Sequence, residues 1–216
     1  MSLTTIRRPK SKRVPAFAVT SLPMKTFTLD AYHRLIGSGA LTTSDRMELL
    51  NGLLVYKMPQ NSPHASTALK LESLGWRRLP SQLMPWCQKP ITISDSDSEP
   101  EPDLAIVPAP GTRYETKKPV PSEIALLIEI SDTTLALDSG EKKETYAAAG
   151  IPVYWIVNLV DRRIEVYSSP KSGKHPDYRD VSHYRPGQVV AATMMGIAIE
   201  PIAVNDILPA PVRRPR

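Results

Sequence analysis

Asp103 and Glu129 are carboxylates attached to two short apolar runs, at residues 102–107 and 124–130. Both runs read as buried strands. A carboxylate in such a run is costly to desolvate unless a cation or hydrogen bonds compensate it. Two of them on neighbouring strands suggest a divalent-metal site. Magnesium is typically held by one or two carboxylates, with water and substrate phosphate completing its octahedron. Lys142 follows at the start of the next helix, where an ammonium can hold an attacking water or stabilise charge on a phosphate. Acid, acid and lysine on a small sheet point to metal-assisted hydrolysis of a phosphodiester. Glu48 lies beside Met47, Leu49 and Leu50. It reads either as a further ligand of metal or water, or as a salt-bridge partner of Arg46 or Lys57.

Blander readings compete at each position. Asp103 taken alone also reads as a Pro-Asp turn at a strand end. Glu129 resists that reading, because a strand buried on both faces has no alternation to turn it toward water. Asp138, one helical turn before Lys142, reads as a charge at a helix N-terminus. His64, just after Pro63, reads as a surface or capping residue, and Lys143 as part of a solvated face. Cys87 has no evident histidine partner and reads as core. Asp95, Asp97 and Glu99 imitate part of a calcium loop, but the glycine and terminal glutamate it needs are missing. The four histidines show no paired ligand spacing, and no glycine-rich phosphate loop is present.

The elements that must position these residues follow from periodicity and turn chemistry. Thr28 caps a helix through Tyr32, Leu35 and Ile36 that Gly37 and Gly39 end. Residues 47–57 read as a β-hairpin around Asn51-Gly52. Ser62-Pro63-His64 opens a helix carrying Ala65, Ala68, Leu69, Leu71, Leu74 and Trp76. Residues 84–93 read as a strand. The acidic, serine-rich stretch 94–101 leads to the Asp103 strand, and a proline-rich loop precedes the Glu129 strand. A helix from about Ser139 to Ala149 ends at Gly150, with Pro152 beyond. Residues 153–157 form a buried strand, with 162–167 as its antiparallel neighbour. Strand, helix and strand from Glu129 to Trp155 make a crossover unit, so those two strands are expected to be parallel. The whole reads as α/β or α+β, a mixed sheet flanked by helices.

The 216 residues suit one domain with a full core. Its expected bounds are 23–208, between a basic tail at 1–22 and a basic, proline-rich tail at 209–216. The net charge of +5 permits nucleic-acid binding, but much of the excess lies in those tails. Arg7, Arg8, Lys10, Lys12 and Arg13 precede an apolar run that is short and broken by Pro15, which argues against a signal peptide. A single cysteine excludes an intrachain disulfide and a cysteine-based zinc site, and suits a reducing cytoplasm.

Several stretches together carry a family resemblance: 45–55 (DRMELLNGLLV), Ser62-Pro63-His64, 100–105 (PEPDLA), 127–134 (LIEISDTT), Asp138, Lys142, Tyr146, 149–152 (AGIP) and 154–157 (YWIV). In this order they resemble the Uma-type restriction endonucleases, a branch of the PD-(D/E)XK nuclease superfamily, from about Phe27 to Leu208. The resemblance implies a restriction-endonuclease-like fold and magnesium-dependent cleavage of DNA, with manganese as a substitute ion. It makes Asp103, Glu129 and Glu48 metal ligands and Lys142 the catalytic lysine, moved from the strand to the following helix. Two positions depart from pattern. Ser131 stands where the superfamily usually has its lysine, and Asn158 where the family commonly has aspartate.

A metal-dependent DNA endonuclease is therefore the leading expectation. Its competitors are an inert nucleic-acid- or protein-binding module on the same fold, and a hydrolase of RNA or a nucleotide. A homodimer is expected too. One site cuts one strand, two-fold dimers are the commonest oligomers, and residues 53–58 and 189–195 are more apolar than one buried face requires. Glu129→Gln is expected to end cleavage and, by removing an uncompensated charge, to stabilise the metal-free chain slightly.

Overall fold

The computed structural model describes residues 25–210. Arg7 to Arg13 and Arg213, Arg214 and Arg216, in the expected basic tails, lie outside the described residues. Helix α1 (Leu29–Gly37) starts at Thr28, whose Oγ1 accepts the Ala31 N–H at 3.2 Å. Strands β1 (Met47–Leu50) and β2 (Leu53–Tyr56) form an antiparallel hairpin. Its turn residues Asn51 and Gly52 have φ of 50° and 74°, the paired left-handed geometry that Asn-Gly favours. Helix α2 (Ser62–Arg78) follows, capped by Asn61, whose side chain accepts the His64 N–H.

The central sheet has six strands in the order β3 (Leu83–Cys87), β4 (Leu104–Pro108), β5 (Leu126–Ser131), β6 (Val153–Asn158), β7 (Arg163–Lys171) and β8 (Asp177–Tyr184). The β5–β6 pair is parallel, as the crossover predicts, and the other pairs are antiparallel. A second hairpin, β9 (Val189–Met194) with β10 (Ile197–Ala203), and a short helix α5 (Val204–Ile207) close the chain. This is the mixed α/β architecture with N-terminal helix and hairpin that the sequence predicts. Among the described residues no helix is long and apolar enough to cross a membrane.

Strand alternation divides the core into two layers. Leu104, Ile106, Leu126, Ile128, Ile130, Trp155 and Val157 pack with Leu71 and Leu74 of α2, with α5 and with the second hairpin. Ala105, Val107, Leu127, Tyr154 and Ile156 face the other way, onto Tyr146, Ala147 and Ile151. Glu129 has the parity of Leu127, so it points into this second layer. That decides its environment.

Two local expectations change. The strand expected over 84–93 ends at Cys87, because Gln88 turns to a φ of 49° and Pro90 follows. Leu69 and Trp76 of α2 are 68% and 60% exposed. They stand seven residues apart on one stripe, while Leu71 and Leu74 occupy the stripe that meets the sheet. The crossover helix begins earlier than Ser139 and is not uniform. A turn at Leu135–Leu137 (α3) runs into a π-helical turn, Asp138–Lys142, and then into α4 (Lys143–Ala148).

Glu165 on β7 holds the far end of the second layer. Its carboxylate accepts from Tyr167 Oη at 2.6 Å, Asn158 Nδ2 at 2.8 Å and Arg163 Nε at 2.9 Å. Burial alone would raise its pKa, but these three donors hold the carboxyl below its ordinary value. A depressed acid stabilises the fold above its unfolded pKa, and that contribution is lost as pH falls through the folded value. Glu165→Gln is expected to cost about 1 kcal/mol at pH 7 and to flatten the fall of Tm with acidification below about pH 4. Thermal melts of both proteins over that range check it; parallel Tm curves would contradict it.

Candidate active site

The β1–β2 hairpin, the N-terminus of α2, the β4 and β5 ends and the π-helical turn surround one cleft of about 330 Å³. Glu48, Asp103, Glu129 and Lys142 all line it, together with His64, Asp138 and Glu101.

Glu129 is 4% exposed and Lys142 6%. The Lys142 Nζ donates to Glu129 Oε1 at 3.0 Å and stands 3.1 Å from Glu48 Oε1. Tyr146 Oη donates to the same Glu129 Oε1 at 2.8 Å. Lys142 and Tyr146 are four residues apart, the spacing that puts two side chains on one helix face. The π-helical turn, which inserts an extra residue into the helical repeat and is often found at functional sites, carries Lys142 to that position. The other Glu48 oxygen, Oε2, accepts the Glu101 N–H at 2.9 Å. Both Glu48 oxygens are therefore engaged by the protein.

Asp103 lies one residue before the β4 ladder, whose pairing of Leu104 with Ile128 brings it beside the Glu129–Ile130 segment. Its Oδ2 accepts the Ile130 N–H at 2.8 Å and lies 3.2 Å from His64 Nε2. His64 is thus a cleft residue rather than the surface or capping residue its sequence context suggested. Pro63 in the first turn of α2 gives no hint of this, since only the packing of α2 on the sheet turns the ring to Asp103. Asp138 is likewise more than a helix-end charge. It is 2% exposed, and its Oδ2 accepts from Ser131 Oγ at 2.7 Å and Thr134 Oγ1 at 2.6 Å. Ser131, at the usual lysine position, so serves Asp138. Asn158 lies away from the cleft and donates to Glu165 and Asp161. Asp97 and Glu99, the calcium-loop mimics, instead fasten α1, through the Leu29 N–H and His33 Nε2.

The electrostatics follow from burial and an excess of acids. Burial pushes the Glu129 carboxyl well above its ordinary value; Lys142 opposes the shift, and Asp138, Asp103 and Glu48 add to it. Burial raises Asp138 as well, against Lys142 and its two hydroxyl donors. Burial would lower Lys142, but Glu129, Glu48 and Asp138 more than reverse this, so the amine stays an ammonium. Burial and Glu129 keep the Tyr146 phenol protonated, a donor at all ordinary pH. His64 is lowered by burial and raised by its bond to Asp103 and by the nearby acids, with a net rise.

The donor chemistry suits a divalent cation. Five carboxylates, Glu48, Glu101, Asp103, Glu129 and Asp138, line the cleft with Arg46, Lys57, Lys142 and one imidazole, His64, which leaves negative charge in excess. Among the described residues, no protein hydrogen bond reaches Glu129 Oε2 or Asp103 Oδ1. No three acids, histidines or cysteines among them stand in ligating geometry. A two-carboxylate site completed by water and phosphate, the usual magnesium arrangement, needs no third.

An acid-lined cleft at the end of a small mixed sheet is the equipment of a nuclease fold. A solved structure of a putative nuclease belonging to DUF820 from Anabaena variabilis superposes with a TM-score of 0.60 at 14% identity, over 84% of this chain and 97% of that one. That likeness establishes the fold. The chain matches the Uma2 family, described as "Putative restriction endonuclease", over residues 29–202, and it belongs to that family. No curated protein matches it significantly.

Proposed function

We propose that the protein is a magnesium-dependent endonuclease that hydrolyses DNA phosphodiester bonds in this cleft, with manganese as a substitute ion. The observation that carries this is the pairing of Asp103 and Glu129. Each has one oxygen clamped by protein donors, and the other reached by no protein hydrogen bond among the described residues. Those two oxygens are the proposed metal ligands. Asp103 and Glu129 would hold a magnesium ion there, which would supply Lewis-acid polarisation of the phosphodiester and a lowered pKa for bound water.

The chain's own groups do the rest. Tyr146 and Lys142 fix the Glu129 rotamer, and His64 and the Ile130 N–H fix Asp103. Glu48 holds Lys142 rather than the metal, since Lys142 and the Glu101 N–H already engage its oxygens. An ammonium has three N–H bonds. Two meet Glu129 and Glu48, which leaves the third for a water or a phosphate oxygen. Cutting both strands calls for two such sites, which a two-fold homodimer would supply. Light scattering giving a monomer mass at micromolar concentration, with and without DNA, would remove the dimer from the proposal.

Incubation with supercoiled plasmid tests the reading. Nicked and linear products are expected with magnesium or manganese and none with EDTA. DNA that is bound but left intact with either ion would instead make the chain an inert binding module, and cleavage of RNA alone would change the substrate.

A further inference from the structure

The mouth of the cleft carries groups that the hydrolytic reading does not use. Tyr56 is 68% exposed and Met58 52%, yet both line the cleft beside the buried acids. Large side chains left in water on the rim of a charged cleft lack the apolar covering that explains their neighbours Leu49 and Leu50. Arg46 stands next to them. The Lys57 N–H donates to the Arg46 carbonyl at 2.7 Å, and Met47 pairs with Tyr56. The cations of this cleft are otherwise matched to acids: Lys142 to Glu129 and Glu48, Lys57 to Glu101, His64 to Asp103. Among the described residues Arg46 meets no carboxylate; its guanidinium only donates to the Met58 carbonyl, at 3.3 Å.

A guanidinium without an acid partner and an exposed aromatic residue lining one cleft match one nucleotide, with phosphate on the cation and base on the ring. A base inside a duplex stack offers no free face to Tyr56. We infer that Arg46, Tyr56 and Met58 form a stacking rim for an unpaired nucleotide, so that this cleft takes single-stranded DNA in preference to duplex. The inference rests on the nuclease reading for its substrate class, but not on cleavage itself.

Fluorescence anisotropy in EDTA, where no cleavage occurs, separates the two. The probes are a labelled single-stranded oligonucleotide and its blunt duplex. Stacking on one ring corresponds to roughly a tenfold effect. Tyr56→Ala is therefore expected to weaken single-strand binding by about that factor while changing duplex binding less than about twofold, and Tyr56→Trp to restore it. Arg46→Ala should weaken binding and lower the salt slope by about one phosphate contact. These side chains are exposed, so unchanged melting temperatures are expected to accompany the losses. Equal affinity of Tyr56→Ala and wild type, or an equal loss on duplex, overturns the inference. So does a wild-type dimer that Tyr56→Ala converts to monomer, which would give the rim to a second copy of the chain. If Tyr56→Ala lowers single-strand binding but no ion supports cleavage by the wild type, the rim stands and the nuclease reading falls. Plasmid cleavage by a wild type whose binding ignores Tyr56 gives the reverse.

Discussion

Glu129→Gln is expected to lower metal-dependent cleavage by at least about a thousandfold, the several kcal/mol that a bound metal ion contributes to the transition state. The amide keeps the size and the Oε1 acceptor that Lys142 and Tyr146 use, but it removes the charge proposed to hold the ion. The expectation for stability differs from the one drawn from sequence. There Glu129 is an uncompensated charge, and its removal stabilises. In the fold the carboxylate is met by an ammonium and a phenol, and Lys142 keeps Glu48 when Glu129 is neutral. The net change is expected to stay within about 1 kcal/mol. Urea unfolding in EDTA and a plasmid assay in magnesium measure the two effects separately. Cleavage equal to wild type would place the activity elsewhere.

Lys142→Met is expected to have the largest effect on stability, a loss of about 3–5 kcal/mol at pH 7, because it leaves two buried carboxylates without their cation. Glu48 and Glu129 are each under 5% exposed, so water cannot take over the role. The pH dependence has a definite sign. The Glu129 carboxyl is already raised by burial, and removing Lys142, which opposes that rise, pushes it further. A raised acid stabilises the fold at low pH, and that contribution is lost as pH rises through the folded value. The deficit of Lys142→Met should therefore be smaller at pH 5 than at pH 8. Adding Glu129→Gln should recover part of it, since the two residues are in contact and their effects do not add. A loss below about 1 kcal/mol, or one that grows in acid, would show that the ammonium does not hold the pair.

The strongest signals in the sequence are local. Asn51-Gly52 specified the hairpin turn, since few residues accept two left-handed conformations in succession. The crossover from Glu129 to Trp155 implied the parallel pair. Asp103 and Glu129 stand out in the sequence because charge inside an apolar run is unfavourable unless the fold compensates it, whereas Lys142 stands out by its place at the start of the following helix and Glu48 by the motif around it. Tyr146 was visible only as part of a motif; its spacing from Lys142 was the one signal of a shared face. His64 and Asp138 read locally as surface or helix-end groups, because a helix start does not say which elements will pack against it.

The sequence by itself determined the elements, the family and the acids that had to be compensated. These depend on backbone preferences and burial costs that act within a few residues. Only the tertiary structure decided what compensates them. Lys142 meets Glu48 across 94 positions of chain and Asp103 meets His64 across 39, through a sheet order and a π-helical turn that no local pattern encodes. Contacts of that kind form only when separate elements pack on both layers of one sheet, so their energies depend on the whole arrangement rather than on any segment of it.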